Sequence, residues 1–275
     1  MKNMIGFFDS GFGGLTVLRE AAKTLPDYSY LYLGDNARTP YGSHSPQTIY
    51  EYTLEGVEEL FRQGANLVIL ACNTASAVAL KKLQKEYLPV HHPGKTVLGI
   101  IIPVAEEVKY FKSKTIGVFA TETTVNSNAF AIEIAKTNPA LETVHQACPL
   151  LVPMIEAGEI DGLDIFVEKY VKDLFAKNSK IGSVVLGCTH YAIIEDVFRK
   201  FIPKEVEIVS QGKIVAQSLG CYLENHPEIE KRLEKECARR FLTTEDSAKI
   251  EHLADMFYGE KAEMEVAKIS SIDIS

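Results

Sequence analysis

The sequences VILACNTAS, residues 68–76, and VVLGCTHYA, residues 184–192, decide how this chain is expected to fold. Each is a short apolar run that ends at a cysteine and continues into polar residues. Such a run predicts a fully buried strand of a parallel sheet, with the cysteine at the carboxyl end of the strand. We therefore expect Cys72 and Cys188 at matching positions in two related halves of the molecule.

A second pair of similar segments supports this duplication. IGFFDS begins at Ile5 and IGVFAT begins at Ile116, so nearly the same length of chain separates them as separates the two cysteines. We predict two lobes. Lobe A comprises residues 1–96 and 211–275, including a C-terminal extension, and lobe B comprises residues 97–210.

The chain as a whole has the pattern of an α/β protein. Short runs rich in Val, Ile and Leu alternate with amphipathic segments of helical length, which favours mainly parallel strands connected by helices. Residues 226–275 are rich in Glu and Lys and are predicted to form a peripheral helical extension. Strands are predicted near residues 4–8, 29–33, 66–71, 97–101, 115–119, 183–187 and 206–210, and helices near 14–24, 47–63, 74–86, 103–111, 124–136, 161–177 and 212–224.

Composition argues against several classes of function. The 275-residue chain carries a net charge of −8, so neither nucleic acid nor an anionic membrane is expected as its main partner. The N-terminus reaches Asp9 after few apolar residues, so no signal peptide is expected. The longest apolar stretch, Val97 to Ala105, is too short to span a bilayer. Five cysteines without a CxxC pair favour a reducing cytoplasm.

Polar residues follow most of the predicted strands, which is where ligands bind in open parallel sheets. Their recurrence at successive strand ends is stronger evidence for a site than any single cluster. The clusters are Asp9-Ser10, Gly34-Asp35, Cys72-Asn73-Thr74, Thr121 and Cys188-Thr189-His190.

Only two of the five cysteines are predicted to have a chemical role. A buried free cysteine usually packs as a small apolar residue, and Cys148, Cys221 and Cys237 are interpreted in this way. Cys72 and Cys188 each precede a predicted helix start, where backbone amides and the helix dipole favour a thiolate. A thiol on either side of one carbon atom is suited to moving a proton from one face of that carbon to the other.

The sequence DSGFGG, residues 9–14, predicts a tight turn between a strand and a helix, with amides available to a carboxylate or phosphate. It lacks the Lys-Ser/Thr of a P-loop and the spacing of a dinucleotide site, so a plain strand-to-helix turn is the alternative. Asp9 is expected near Cys72 if their strands are neighbours. There it could assist proton transfer or pair with a substrate ammonium group.

Three further features have both a structural and a functional interpretation. His190 lies two residues after Cys188 and could tune or relay its proton. Zinc is the competing use of cysteine and histidine, but no second ligand pair has the usual spacing. Glu156 could be an ordinary residue of a surface helix, and the loop Arg38 to Gly42 could cover a small site or be an exposed turn.

Five motifs occur together in this sequence: DSGFGGLTV (9–17), YLGDNARTPYG (32–42), ACNTAS (71–76), CPLLVPMIE (148–156) and LGCTHY (186–191). Together and in this order they resemble the glutamate racemases of the cofactor-independent aspartate/glutamate racemase family. The resemblance runs from about Ile5 to Gln211. It implies two α/β lobes with pseudo-two-fold symmetry, an active site in the cleft between them, and neither a cofactor nor a metal.

The resemblance also implies roles for individual residues. Cys72 and Cys188 correspond to the two acid/base thiols, Cys72 acting on D-glutamate and Cys188 on L-glutamate. Asp9 is placed to assist Cys72, and Glu156 and His190 lie near the second thiol. Contacts with the substrate are implied for Asp9, Ser10, Tyr41, Gly42, Asn73, Thr74, Thr121, Thr189 and His190.

Three positions depart from the family pattern. Ala120 replaces a glycine before Thr121, Ala192 replaces a proline after CTHY, and Ser210-Gln211 stand where Asp-Ser is common. These departures affect the expected shape of local loops and leave the two thiols in place. By the same resemblance, the protein is expected to be a cytoplasmic homodimer that supplies D-glutamate for bacterial cell-wall peptidoglycan.

Three alternatives remain open on the residues. An aspartate or hydantoin racemase would keep both thiols and change the side-chain pocket, although the PYG loop and CTHY favour glutamate. A non-catalytic dicarboxylate-binding protein on this scaffold would not need both cysteines. A redox or zinc protein would require Cys72 and Cys188 to cluster with further ligands.

Overall fold

The computed structural model describes residues 3–247 and 249–272, so residues 1, 2, 248 and 273–275 of the predicted lobe A lie outside the description. The strands within these ranges are β1 (Met4–Asp9), β2 (Tyr30–Gly34), β3 (Ala65–Leu70), β4 (Thr96–Gly99), β5 (Thr115–Ala120), β6 (Glu142–Ala147), β7 (Ser183–Leu186), β8 (Glu207–Val209), β9 (Arg239–Thr243) and β10 (Met264–Val266). They form a six-stranded sheet, in the order β10-β9-β2-β1-β3-β4, and a four-stranded sheet, in the order β6-β5-β7-β8. Neighbouring strands pair in parallel in both sheets.

Helices connect these strands and cover the sheets. The α-helices in the described part of the chain are α1 (Gly14–Thr24), α2 (Pro46–Arg62), α3 (Asn73–Lys82), α4 (Leu88–His91), α5 (Ile101–Glu107), α6 (Glu122–Asn126), α7 (Ala129–Thr137), α8 (Leu151–Glu156), α9 (Asp164–Lys177), α10 (Glu195–Phe201), α11 (Gln211–Asn225), α12 (Pro227–Glu230) and α13 (Ile250–Tyr258). The predicted α/β class with two lobes of parallel sheet is confirmed.

The two sheets share a common arrangement of four strands. In strand order, β2-β1-β3-β4 of one sheet corresponds to β6-β5-β7-β8 of the other. The IGFFDS strand β1 therefore matches the IGVFAT strand β5, and β3, which leads to Cys72, matches β7, which leads to Cys188. This is the correspondence that the repeated motifs predict.

Burial on both faces explains why β1 is apolar at successive positions. Ile5 and Phe7 pack into the core on one face of the sheet, and Met4 and Phe8 pack into the core on the other. Because helices cover both faces of a parallel sheet, such a strand carries no polar alternation. The first polar side chain of β1 is Asp9, which is also its last residue.

Two predictions about the ends of the lobes need correction. β4 pairs with β3 in the six-stranded sheet, with Leu67 opposite Thr96, so the predicted start of lobe B at residue 97 cuts through a strand of lobe A. The C-terminal extension is not merely peripheral and helical, because β9 pairs with β2 and β10 pairs with β9. These short strands, one of which begins with Arg239-Arg240, lack the apolar pattern that marks a central strand.

Across residues 3–247 and 249–272, the helices lack the combined length and apolar character needed to cross a bilayer.

Candidate active site

A cavity of about 140 Å³ lies between the carboxyl ends of the central strands of the two sheets. Its lining includes both cysteines that the sequence singles out, one from each lobe. The lining residues predicted from the sequence are Ser10, Tyr41, Gly42, Cys72, Asn73, Thr74, Thr121, Cys188, Thr189 and His190. Asp9 and Glu156 lie directly behind this lining, where they contact Thr189 and His190.

Cys72 sits at the junction between β3 and α3, where it caps the helix. Its sulfur accepts a hydrogen bond from the Ala75 amide at 3.5 Å and lies 3.5 Å from the Ser10 hydroxyl, to which the thiol donates. Burial raises the pKa of the Cys72 thiol to about 12, and the nearby Asp9 carboxylate acts in the same direction. The charge of a Cys188 thiolate raises it further, so Cys72 rests as a protonated thiol.

Asp9 ends β1 and is almost completely buried. The Gly11 amide donates to its Oδ1 at 2.9 Å, and the Thr189 hydroxyl of the other lobe donates to its Oδ2 at 3.4 Å. Burial raises the pKa of Asp9, although the charge of His190 and the Gly11 amide oppose this shift. Asp9 thereby connects the turn beneath Cys72 with the loop that follows Cys188.

His190 lies between Cys188 and Glu156. Its Nδ1 is 3.7 Å from the Cys188 sulfur, and its Nε2 makes a very short contact with Glu156. Burial acts to lower the pKa of His190, but hydrogen bonds to Cys188 and Glu156 outweigh burial and raise it well above the usual value. The protonated ring is therefore favoured, held between the Cys188 sulfur and the Glu156 carboxylate.

The turn DSGFGG binds carboxylates of the protein itself. The Gly11 amide is taken by Asp9, and the Phe12 amide donates to Glu156 at 3.0 Å. A Cβ on Gly13 would lie 2.4 Å from the Thr189 hydroxyl and 2.5 Å from the His190 ring. Glycine is required there because the first turn of α1 packs directly against the residues that follow Cys188.

Three buried threonines join the lobes on the opposite side of the cavity. Thr74 of α3 lies 2.9 Å, oxygen to oxygen, from Thr121, and Thr121 lies 2.9 Å from Thr124. Thr121 also caps α6, since its hydroxyl accepts from the Thr124 amide at 3.3 Å. The substitution of Ala120 for glycine leaves this cap intact. Thr74 and Thr121 line the cavity, and Thr124 supports them from behind.

The loop that carries Tyr41 and Gly42 is held by Asp35, which is fully buried. Tyr41 donates a very short hydrogen bond to Asp35, and Arg38 donates to the same carboxylate at 2.7 Å. Thr244, which follows β9, donates to its other oxygen at 2.9 Å. The hydroxyl group of Tyr41 is therefore bonded within the protein, and Tyr41 is part of the cavity lining.

Sequence reasoning missed several residues of the site. Cys148, which the sequence pattern indicates as a packing residue, lines the cavity together with apolar residues of the same segment. Phe257 of α13 also comes close, with its ring centre 5.5 Å from that of His190. The CPLLVP motif could have indicated the wall, but no local pattern indicates Phe257. The additional lining residues are Pro40, Ser43, Glu122, Cys148, Pro149, Val152 and Pro153.

This arrangement has a definite chemical capacity. The Cys72 thiol is held protonated and the Cys188 sulfur lies 3.7 Å from His190 Nδ1, so a single cavity presents one sulfur from each lobe. Buried hydroxyl and amide groups surround the space between them. Such a site can remove a proton from a bound carbon and return one from a different side.

The fold and this site define a class of enzyme, the amino-acid racemases. The family model for Asp/Glu/hydantoin racemases matches residues 15–219, which is most of the chain. This chain belongs to the Asp/Glu/hydantoin racemase family.

Within this family, the chain is similar to proteins that are named glutamate racemase. A protein of Ruegeria sp. (strain TM1040) named glutamate racemase is 42% identical over 82% of this chain and 87% of its own. A glutamate racemase of Jannaschia sp. (strain CCS1) is 40% identical over 95% of this chain and 98% of its own. The crystal structure of glutamate racemase from Francisella tularensis in complex with D-glutamate superposes with a TM-score of 0.86, at 32% identity, covering 98% of this chain and 99% of that one.

Proposed function

We propose that this protein interconverts L-glutamate and D-glutamate without a cofactor, using Cys72 and Cys188 as its two acid/base groups. The observation that carries the proposal is the placement of both thiols, at equivalent strand ends of the two lobes, on one cavity. The proposed substrate is taken from the names of the relatives. The proposed reaction is argued from the residues of the cavity.

In the direction from L to D, Cys188 acts as the base. Its thiolate, stabilised by the His190 cation, takes the α-proton of L-glutamate and becomes a thiol. The Cys72 thiol donates its proton to the opposite face of the resulting carbanion and becomes a thiolate. In the reverse direction Cys72 takes the proton of D-glutamate and Cys188 returns one. Asp9 and Glu156 adjust these proton affinities as neighbouring carboxylates.

The α-carbon of an amino acid is a weak acid, so the site must stabilise the carbanion strongly. We assign this role to fixed dipoles around the buried cavity: the backbone amides at the start of α3 and of the turn after Cys188, together with the side chains of Asn73, Thr74 and Thr189. Both thiols are less than a tenth exposed.

Substrate recognition follows from the same lining. We propose that hydroxyl and amide groups on either side of the thiols hold the two carboxylates and the ammonium group of glutamate. The turn near Asp9 suits the ammonium group, since it offers a carboxylate. The residues proposed to contact the substrate are Ser10, Tyr41, Gly42, Asn73, Thr74, Thr121, Thr189 and His190, which line the cavity, and Asp9, which lies directly behind the lining at Thr189.

The cellular part of the proposal rests on the same resemblance. We propose that the protein is a homodimer in the bacterial cytoplasm and that its D-glutamate is used in cell-wall peptidoglycan. Five free thiols are in keeping with a reducing compartment. Light scattering of the purified protein would show the dimer, and a monomer at all concentrations would refute that part of the proposal.

Hydrogen exchange with the solvent tests the reaction directly. The purified protein is incubated with L-glutamate in D₂O, and α-deuterium incorporation is followed together with loss of optical rotation. Both should proceed in the wild type. Cys72→Ser and Cys188→Ser should each abolish racemisation, whereas Cys221→Ser, at an exposed cysteine, should leave it unchanged. Racemisation near the wild-type rate in Cys72→Ser would refute the assigned roles.

A second candidate function is an aspartate or hydantoin racemase on the same two thiols. The same assay with L-aspartate and with a substituted hydantoin separates the three substrates by kcat/KM. Binding of glutamate without any deuterium incorporation would instead favour a non-catalytic dicarboxylate-binding protein.

A further inference from the structure

A pair of amide side chains lies at the edge of the proposed active site. Asn73, the first residue of α3, donates from Nδ2 to Oε1 of Gln211 at 2.6 Å, and Gln211 donates from Nε2 to Oδ1 of Asn73 at 2.9 Å. Both side chains are almost completely buried. Asn73 directly follows Cys72 and lines the cavity, whereas Gln211 does not line it.

This pairing fixes how Asn73 presents its amide. A side-chain amide has two N–H donors and two acceptor positions on its oxygen, and Gln211 takes one of each. Rotating the Asn73 amide alone by 180° would set oxygen against oxygen and nitrogen against nitrogen. One donor and one acceptor position of Asn73 then remain, with a fixed direction, for a molecule in the cavity.

The position of Gln211 in the fold makes it suitable for this task. It is the first residue of α11, two positions after β8 of the four-stranded sheet, and α11 packs along α1 of lobe A. The amide pair therefore connects the point where the chain crosses between lobes with the helix start that carries Cys72.

We propose that Gln211 is a positioning residue of the racemase reaction, which orients the Asn73 amide beside Cys72. The inference rests on the proposed function, since it assigns Asn73 to the substrate. Gln211 does not touch the reacting atoms itself. Its effect on the rate should therefore pass entirely through Asn73.

A double-mutant cycle on kcat/KM for L-glutamate tests this dependence. Gln211→Leu removes both hydrogen bonds at similar volume and should lower kcat/KM about tenfold to a hundredfold, because each neutral hydrogen bond contributes up to about tenfold. In an Asn73→Ala background the same substitution should have no further effect. Gln217→Leu, on the exposed side of α11, is the matched control and should leave kcat/KM unchanged.

The outcomes are distinguishable. Effects of Asn73→Ala and Gln211→Leu that multiply would overturn the positioning role and leave a merely structural one. An inactive wild type would refute the proposed function and this inference together. If Gln211→Leu fails to fold, Gln211→Glu keeps an acceptor for Asn73 Nδ2, and the cycle is repeated with it. Gln211→Glu should again lower kcat/KM only in the protein that retains Asn73.

Discussion

At the scale of single residues, the protonation of Cys72 is set by burial, and this makes it a measurable probe of the site. The raised pKa, about 12 against an ordinary value of 9.0, means that folding disfavours ionisation of this thiol. The stability that this shift contributes is fully present below pH 9, where the thiol of the unfolded chain is protonated. It is lost as the pH rises from 9 towards 12, because only the unfolded chain then releases the proton.

The first prediction concerns stability in this pH range. Between pH 9 and 11, the free energy of unfolding of the wild type should fall more steeply with pH than that of Cys72→Ser. The difference in slope should approach about 1.4 kcal/mol per pH unit. Urea denaturation at successive pH values measures both slopes. Cys221→Ser, at an exposed cysteine, should keep the wild-type slope, and equal slopes for Cys72→Ser and the wild type would contradict the burial argument.

A second residue-scale prediction concerns the contact between Gly13 and the loop after Cys188. The backbone of Gly13 has φ −54° and ψ −39°, which any residue adopts, so only space forbids a side chain. In Gly13→Ala the new methyl group would push against Thr189 and His190. A displacement of about 1 Å at a reacting group costs about a hundredfold in rate, so kcat/KM should fall by about that factor.

Gly220→Ala in α11 is the matched control for Gly13→Ala. Its new Cβ would lie 3.6 Å from the nearest side-chain atom, an ordinary contact. Replacing a glycine inside a helix should stabilise the fold by about 0.5–1 kcal/mol, with activity unchanged. If Gly13→Ala and Gly220→Ala both keep full activity, the close approach of the lobes is not needed for the reaction.

At the scale of secondary-structure elements, the sequence predicts the strands that have continuous apolar runs and misses β6, β9 and β10. β1, β3, β5 and β7 are buried on both faces, so their residues are continuously apolar and their ends are visible in the sequence. β6, with the sequence ETVHQA, is an edge strand that is partly exposed and carries no such pattern. β10, at the edge of the other sheet, is short and mostly exposed. β9 pairs on both sides, but it begins with the half-buried Arg239 and Arg240 and so also lacks a continuous apolar run.

The same distinction applies to the candidate site. Cys72 and Cys188 were predictable because each stands at the end of a buried strand, where a local pattern marks it. Gln211 and Phe257 reach the site from helices far along the chain, and their role depends on packing between elements. Such contacts leave no periodic trace in the sequence, since the partner residue, such as Asn73, is 138 positions away.

The third prediction tests whether the C-terminal segment supports the active-site loop. The Thr244 hydroxyl donates to Asp35 at 2.9 Å and accepts from the Ala37 amide at 3.0 Å. Thr244→Val removes both bonds at nearly constant volume. We expect a loss of about 1–3 kcal/mol in the free energy of unfolding, and a higher KM for glutamate because the loop that carries Tyr41 is less constrained.

Thr137→Val provides the comparison for Thr244→Val. The Thr137 hydroxyl donates to Ala105 at 3.0 Å and to Ile134 at 2.9 Å, both backbone carbonyls at a distance from the cavity. Thermal unfolding and steady-state kinetics are measured for both variants. Thr137→Val should lose stability without a change in KM. An equal change of KM in the two variants would show that the loop is not held through Asp35.

At the scale of the whole molecule, the duplication explains why the site needs both lobes. Each lobe supplies one thiol after an equivalent strand, β3 in lobe A and β7 in lobe B. Neither lobe encloses the cavity alone. Contacts across the boundary hold the lobes together: Asp9 with Thr189, Glu156 with the Phe12 amide, and Thr74 with Thr121. A ligand in the cavity adds to this set of contacts, so binding and lobe association should be coupled.

The fourth prediction follows from this coupling. D-glutamate at a hundred times its Kd should raise the free energy of unfolding by about 2.7 kcal/mol, and the gain should be shared by both lobes. Cys188→Ser is the suitable protein, because it cannot complete the reaction and the ligand stays unchanged. Hydrogen exchange followed by mass spectrometry should show slower exchange in β1 and β3 and, to a similar degree, in β5 and β7. D-alanine at the same concentration, which lacks the side-chain carboxylate, should slow neither set. Protection confined to one sheet would mean that glutamate is held by a single lobe, and a two-sided proton transfer would then have no structural basis.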